Sequence, residues 1–135
     1  AAGPALLAAC RAVPEHNGIR CPAGQARITA AGKLDARFVI HTVGPRYGID
    51  PGHRSLLTSA YRNTFQLALE NDCHSLAVPA ISCGVYGYPL KEAAQVALGV
   101  CAEAAFSELN ITFYLFGDEI FAVWDEVLEH LQDDA

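Results

Sequence analysis

The feature that most constrains the fold is an apolar run, Ser75 to Ile81, set between two long helical patterns. A run of this kind is typical of a strand buried on both faces of a sheet. Before it, apolar residues recur largely at three- and four-residue spacing and predict a helix; they are Leu57, Ala60, Tyr61, Phe65, Ala68 and Leu69. After it, Pro89 begins a second helix that is predicted to reach about Glu108, with a smooth face of small residues, Ala94, Ala97, Cys101, Ala104 and Ala105.

Shorter patterns complete the prediction. Strands are expected at Ala26 to Ala30, Arg37 to Val43 and Ile111 to Phe116, and a first helix from Pro4 to Cys10. Asp118 is expected to be the N-cap of a last amphipathic helix. Strands that alternate with helices predict an α/β layered fold with parallel pairing and right-handed crossovers. The length of 135 residues favours a single domain over 1–135.

Composition and charge exclude several functions. With 52% apolar and 18% charged residues, the chain is not of the disordered class. No run approaches the roughly 18 apolar residues that a membrane span needs, so no membrane partner is expected. The net charge of −6 falls largely on the segment from Asp118 onward, which holds seven acidic residues and no Lys or Arg. That distribution argues against general nucleic-acid binding.

The cysteines and histidines predict neither disulfides nor a metal site. The five cysteines include no C-x-x-C pair, which indicates reduced thiols and a cytoplasmic, intracellular location. The histidines show no metal-ligand spacing, and no cofactor is expected. Cys83 and His41 could be drawn as a nucleophile and its base. Cysteines without a catalytic task are commoner, however, and nothing in the sequence places these two side chains together.

Three loops follow predicted strands, where α/β sheets bind ligands: Gly44 to His53, Ser82 to Tyr88, and Gly117-Asp118. In the second loop, Gly84 and Gly87 let backbone N–H groups turn toward an anion, and the following helix adds its positive end. Tyrosines beside these glycines suit a sugar or ring, so the loop suggests a phosphate-bearing, sugar-containing small molecule. An ordinary tight turn stays an alternative. The loop is neither a dinucleotide fingerprint nor a P-loop.

Four segments, CPAGQARIT, FVIHTVGP, YRNTFQLALEN and VPAISCGVYGYP, resemble the macrodomain family in order and with few gaps. They look most like the subgroup that acts on ADP-ribosyl esters. The resemblance implies a three-layer α/β/α sandwich with a mixed, mainly parallel sheet and an ADP-ribose cleft at the strand ends. It implies ADP-ribose or an ADP-ribosylated protein as the partner.

The resemblance also implies which residues bind. Gly84 would allow close approach of the distal ribose and an attacking water, and Tyr86 would cover that ribose. Phe116 would border the adenine and proximal ribose, with Asp118 close by. The family's catalytic Asn and Asp have no counterpart here, so Gly84 and Tyr86 are supporting residues only. The ligand-binding set implied by the resemblance is Ser82, Cys83, Gly84, Val85, Tyr86, Gly87, Phe116 and Asp118.

The chain departs from the family at its beginning. Family members carry first strands, an adenine-reading Asp, an Asn-Ala-Ala-Asn stretch and a glycine-rich loop ahead of the position that matches Ala1. The chain contains no Met and opens with Ala1-Ala2-Gly3-Pro4. We therefore expect a truncated macrodomain, either a natural short form or a trimmed piece. Loss of a strand exposes sheet-edge groups and predicts self-association through that edge.

These observations favour a domain that binds ADP-ribose and, in complete form, hydrolyses ADP-ribosyl-carboxylate or O-acetyl-ADP-ribose esters, reversing mono-ADP-ribosylation. Two alternatives stay open at this point. One is a non-catalytic module that reads ADP-ribose marks. The other is a flavodoxin-like domain that binds FMN, because that fold also places phosphate on a loop after a parallel strand. A chain that binds no ligand is the remaining possibility.

Overall fold

The computed structural model describes residues 2–133 and contains every helix and strand that the sequence predicts, with changed ends. The described elements, in chain order, are α1 (Pro4–Arg11), β1 (Ala26–Ala30), β2 (Phe38–Thr42), α2 (His53–Glu70), β3 (Ser75–Val78), α3 (Leu90–Cys101), β4 (Asn110–Phe113) and α4 (Asp118–Asp133). A short 3₁₀ turn, Ala104–Phe106, separates α3 from β4. None of the described helices combines the length and apolar character that a membrane crossing requires.

The four strands form two separate pairs within residues 2–133. β3 and β4 are parallel, with Ser75 opposite Asn110 and Val78 opposite Phe113, as predicted. β1 and β2 are antiparallel, with Ala26 opposite Thr42, so the expectation of parallel pairing is wrong there. The reason is chain length: the connection from residue 31 to 37 is long enough for a hairpin but too short for the crossover that parallel strands need.

β2 and β3 run in the same direction and face each other across a gap. At the start of the gap, the Arg37 guanidinium donates to the backbone carbonyls of Asp72 and Asn71, at 3.0 and 3.1 Å. At its end, Gly44 lies against Ser82 and Ile81. Between these two contacts lies a cavity of about 980 Å³, with both strands in its walls.

The apolar run is a shorter and more exposed strand than predicted. The strand covers Ser75–Val78, and residues 79–81 already belong to the following loop. Leu76 and Val78 pack on the core, whereas Ser75 and Ala77 are exposed. Side chains alternate between the faces of a strand, so only one face of β3 is covered among the described residues. The prediction of burial on both faces is therefore wrong.

The hydrophobic core lies among α2, α3, α4 and the β3–β4 pair. Its largest fully buried side chains on α2 are Leu57, Tyr61 and Phe65, which confirms the helical pattern read there. α3 ends at Cys101 rather than near Glu108, because Glu103 adopts an extended backbone (ψ 138°) and pairs with Arg62. Ala104 and Ala105 therefore leave the predicted helical face and join the 3₁₀ turn.

Candidate functional site

The loop of residues 82–88, which we call the glycine loop, connects the end of β3 to α3. It is fixed to the core where it starts, since the Ile81 N–H donates to the Tyr61 hydroxyl at 3.0 Å. It closes on itself through bonds from the Tyr88 N–H to the Ser82 carbonyl (2.9 Å) and from the Gly87 N–H to the Gly84 carbonyl (3.0 Å). Ser82 and Gly87 both adopt a left-handed backbone, with φ 66° and 68°. The loop is thus an ordered turn, held by its own backbone hydrogen bonds and by the Tyr61 hydroxyl of α2.

Several backbone N–H groups of the glycine loop have no acceptor among the described residues and are available to bind a ligand. Among the hydrogen bonds of residues 2–133, none uses the N–H of Ser82, Gly84, Val85 or Tyr86 as a donor. No heavy atom of the protein lies within 4 Å of the position a Cβ on Gly84 would take. The Val85 side chain is fully exposed. Unpaired N–H groups just ahead of a helix N-terminus are the arrangement that binds anions in many α/β proteins.

The first predicted loop, which follows β2 and begins at Gly44, determines where Ser82 lies. Gly44 is buried, and a Cβ at this position would overlap the Ser82 Oγ and the Ile81 side chain. Only a glycine therefore allows β2 to end so close to the glycine loop. The Ser82 hydroxyl is itself buried and has no hydrogen-bond partner among the described residues.

Tyr47, in the same loop after β2, supports the glycine loop and is not among the individual binding residues predicted from the sequence. Its N–H donates to the Tyr86 carbonyl at 3.0 Å. Its ring meets the rings of His53 and Tyr88 edge-on, with centroids 4.8 and 5.2 Å away. The sequence predicts that this loop lies where ligands bind. The presence of a tyrosine within it was the signal that could have identified Tyr47.

The structure places the last two predicted residues, Phe116 and Asp118, at the same edge of the sheet as the glycine loop. Because β3 and β4 are parallel, both strands end there, and the Tyr114 N–H donates to the Val78 carbonyl at 2.9 Å. Phe116 lies three residues beyond the end of β4 and is 91% exposed. Asp118 is the first residue of α4 rather than the cap before it. Of the predicted set, Ser82 and Tyr86 line the large cavity, whereas Phe116 and Asp118 do not.

The alternative nucleophile and base do not form a pair. The His41 Nε2 lies 2.9 Å from the Thr29 hydroxyl and 3.7 Å from the Cys10 Sγ, and burial lowers the pKa of His41. Burial also raises the pKa of the Cys83 thiol to about 11, so Cys83 is a neutral thiol near pH 7. A thiol nucleophile at Cys83 has no support from this geometry. The cysteines are free, and no cluster of metal-ligating side chains occurs within residues 2–133.

Fold and loop together define an α/β domain with an anion-binding type of loop at the end of a parallel strand. The family model described as Macro domain matches residues 1–97. A macro domain-containing protein of Vibrio parahaemolyticus is 54% identical over 128 residues, covering 95% of this chain and 75% of the relative. The O-acetyl-ADP-ribose deacetylase of Klebsiella pneumoniae is 47% identical over 133 residues, with the same two coverages.

Solved structures agree. The Oceanobacillus iheyensis macrodomain with ADP superposes with a TM-score of 0.91 at 35% identity, covering 99% of this chain and 73% of that one. The chain belongs to the macro domain family. This membership confirms the resemblance read from the sequence and the α/β class of the fold. It also decides against the flavodoxin-like alternative.

Proposed function

We propose that the chain binds ADP-ribose and that the glycine loop holds the diphosphate through its backbone. The observation that carries this proposal is the set of four N–H groups, on Ser82, Gly84, Val85 and Tyr86, that have no acceptor within the described residues. Neutral amide donors suit a chain with a net charge of −6, because they attract a dianion without a cluster of lysines. The Oceanobacillus iheyensis relative was solved with ADP, which contains the same diphosphate group.

The other predicted residues have distinct roles in this proposal. Tyr86, which is 40% exposed, covers the distal ribose, and the open space over Gly84 admits that ribose. Gly87 supplies the left-handed turn that returns the chain to α3. The Cys83 N–H already points at the Ala80 carbonyl (3.4 Å), so Cys83 contributes less to the anion than its neighbours. Phe116 and Asp118 border the adenine and proximal ribose.

We further propose that the reaction is hydrolysis of an ADP-ribosyl ester. Relatives named O-acetyl-ADP-ribose deacetylase support this chemistry, in which water cleaves the ester and releases ADP-ribose and a carboxylate. The same cleavage on a modified protein side chain would reverse mono-ADP-ribosylation. One observation favours a second candidate, a non-catalytic ADP-ribose reader: the glycine loop, residues 82–88, contains no carboxylate and no histidine that could accept a proton from water.

Calorimetric titration of the chain with ADP-ribose tests the binding proposal. AMP and ribose 5-phosphate are the controls, because each carries only one side of the diphosphate. We expect saturable binding of ADP-ribose and at least tenfold weaker binding of either half. A folded chain that shows no binding heat, confirmed by a second method, would contradict the proposal. A turnover assay on O-acetyl-ADP-ribose then separates a hydrolase, which releases acetate, from a reader, which binds without release.

Gly84→Glu is the variant that tests the site. The new side chain has open space around it, and Gly84 does not have a positive φ, so the fold should be retained. Its carboxylate occupies and repels the diphosphate position, and we expect at least a tenfold loss of ADP-ribose affinity, or about 1.4 kcal/mol or more.

The matched control is Gly99→Glu on α3. Gly99 also has open space around it and no positive φ, and it lies nine residues, or about 14 Å, along α3 from Leu90. The Gly99→Glu variant should bind ADP-ribose as the unmodified chain does. Normal binding by Gly84→Glu would show that the diphosphate lies elsewhere.

A further inference from the structure

The turn formed by residues 46–50, which we call the rim turn, adjoins the glycine loop. It is closed by the Ile49 and Asp50 N–H groups, which donate to the Arg46 carbonyl at 3.2 and 3.1 Å. The Tyr47 N–H joins it to the Tyr86 carbonyl at 3.0 Å. In the proposed function Tyr86 covers the distal ribose, and an ADP-ribosyl ester is formed on that ribose. The rim turn therefore lies where a polypeptide attached to the ligand leaves the site.

Arg46 is the cation of the rim turn, and part of its guanidinium is available to a partner. Its Nε donates to the Asp50 Oδ2 (3.3 Å) and its Nη2 to the Asp50 Oδ1 (2.9 Å), so this carboxylate occupies one edge of the group. No hydrogen bond among residues 2–133 uses Nη1, and the side chain is 52% exposed. A guanidinium has five N–H donors in a planar fork, so the edge between Nη1 and Nη2 can bind a second carboxylate.

Asp50 holds that free edge in position. The Asp50 Oδ2 also accepts from the Arg46 backbone N–H at 2.8 Å, so one carboxylate contacts both the main chain and the side chain of Arg46. The hydrogen bond to Asp50, and to a smaller extent the charge of the Tyr86 hydroxyl, raise the pKa of Arg46. A side chain that is already ordered loses less conformational entropy when it binds. Arg46 is thus a cation fixed beside the residue that covers the ribose.

The surroundings of the rim turn are basic in an acidic chain. Residues 44–61, which form the turn and the start of α2, contain two arginines and one acidic residue. The second arginine, Arg54, has no ion pair among the described residues. It follows His53, the first residue of α2, whose ring lies 4.8 Å from that of Tyr47. The N-terminus of α2 adds the positive end of its helix dipole on the same side of the site.

We propose that the rim turn binds an acidic stretch of the polypeptide that carries the ADP-ribose, with Arg46 pairing with an Asp or Glu side chain close to the modified residue. Ile49, which is 65% exposed in the same turn, offers an apolar contact to the neighbouring side chains of that polypeptide. The net charge of −6 opposes an acidic partner, so the preference comes from this local group of cations. The inference rests on the proposed binding of ADP-ribose and names the class of modified protein that the site selects.

The binding of ADP-ribosylated peptides tests this inference. Two short fluorescent peptides carry ADP-ribose through the same non-hydrolysable linkage, with Glu residues on both sides of it in one peptide and Gln residues in the other. Anisotropy measures both affinities, and competition measures that of free ADP-ribose. At low salt we expect the Glu peptide to bind about fivefold more tightly than the Gln peptide, as an exposed ion pair allows. The preference should vanish at about 1 M salt, where charges are screened beyond roughly 3 Å.

Arg46→Gln tests the residue itself. It should lower the preference for the Glu peptide to less than about twofold and leave the affinity for free ADP-ribose unchanged, because Arg46 meets the polypeptide and not the nucleotide. The matched control is Arg62→Gln. Arg62 is 53% exposed and pairs with one carboxylate, that of Glu103, at 2.7 Å. It lies nine residues, or about 14 Å, along α2 from His53, so its loss should leave the preference intact.

The outcomes separate this inference from the proposed function. Failure of free ADP-ribose to bind would overturn the proposed function and this inference with it. Normal binding of ADP-ribose with equal affinities for the two peptides would overturn the inference alone. So would a preference that persists at high salt, or one that Arg62→Gln removes as fully as Arg46→Gln does. A loss of affinity for free ADP-ribose in a folded Arg46→Gln would place Arg46 at the nucleotide and also overturn it.

Discussion

The helical body and the β1–β2 hairpin differ sharply in how they are held. The body comprises α2, α3, α4 and the β3–β4 pair, and nearly all fully buried side chains lie there, including Leu57, Tyr61 and Phe65. In the hairpin, Ala26 is the single buried strand residue among the ten. The body therefore carries its own core, whereas the hairpin depends on contacts with the body.

Those contacts are few and specific, and they explain why the site depends on both regions. The Asn63 side chain donates to the Gly24 carbonyl at 2.8 Å, and Arg37 donates to the end of α2. The glycine loop is fixed by Tyr61 from the body and by Gly44 from the segment after the hairpin. Ligand binding should therefore report on hairpin docking as well as on the stability of the core.

The largest expected effect comes from a matched pair of truncations. Phe65→Ala should lower the free energy of unfolding by about 3–5 kcal/mol, because Phe65 is fully buried and its ring packs on Phe106. Phe38→Ala in the hairpin should cost about 1 kcal/mol, because Phe38 is half-buried beneath Arg37. Denaturant unfolding measures the free energy of unfolding of both variants. Equal losses would contradict the view that the body carries its own core and the hairpin does not.

Gly44→Ala tests the junction and should have an intermediate effect. The new methyl group overlaps Ser82 and Ile81, so we expect a stability loss of about 1–3 kcal/mol and an ADP-ribose affinity at least tenfold lower. Gly99→Ala adds the same methyl group in open space within a helix and should stabilise the chain slightly. Unchanged binding by a folded Gly44→Ala would show that the hairpin side does not set the loop geometry.

The smallest expected effect is a dependence of the free energy of unfolding on pH, which arises from His41. Burial lowers its pKa below the usual 6.5, so the unfolded chain binds the proton more readily than the folded one. Stability from this group is complete above about pH 6.5 and falls as the pH drops below it. The loss should stay under about 1 kcal/mol, because the half-buried ring is partly screened by solvent.

Denaturant unfolding between pH 7.5 and 5.5 measures this slope. His41→Gln should flatten it relative to the unmodified chain. A slope that survives in His41→Gln would place its origin in another group.

Most secondary structure could be predicted because it depends on local patterns. The apolar spacing of α2 and the glycine and proline that follow β2 are local signals, and the structure agrees with them. The end of α3 was not predicted from its local pattern: Glu103 leaves the helical backbone and pairs with Arg62, 41 residues away, a contact that no local pattern specifies. The predicted length of β3 was wrong for a similar reason. The apolar run continues past Val78 into a loop, and the Ile81 N–H of that loop bonds to the distant Tyr61 hydroxyl.

The glycine loop was identified from sequence because its glycines and the following helix start are local features. The support from Gly44 and Tyr47 was missed, because those residues meet the loop only when β2 and β3 lie side by side. Cys83 and His41 are the opposite case. The sequence allowed them as a nucleophile and its base, but in the fold His41 contacts Thr29 and Cys10 instead.

The sequence by itself determined the α/β class, the order of elements and the family, and it indicated the loop that we propose binds the diphosphate, since each rests on neighbouring residues or on recognisable motifs. Tertiary structure alone decided how the strands are grouped, which backbone N–H groups have no acceptor within residues 2–133, and that Gly44 and Tyr47 lie against the glycine loop. Those properties arise from contacts between residues far apart in the chain, and no local pattern specifies which distant partners meet.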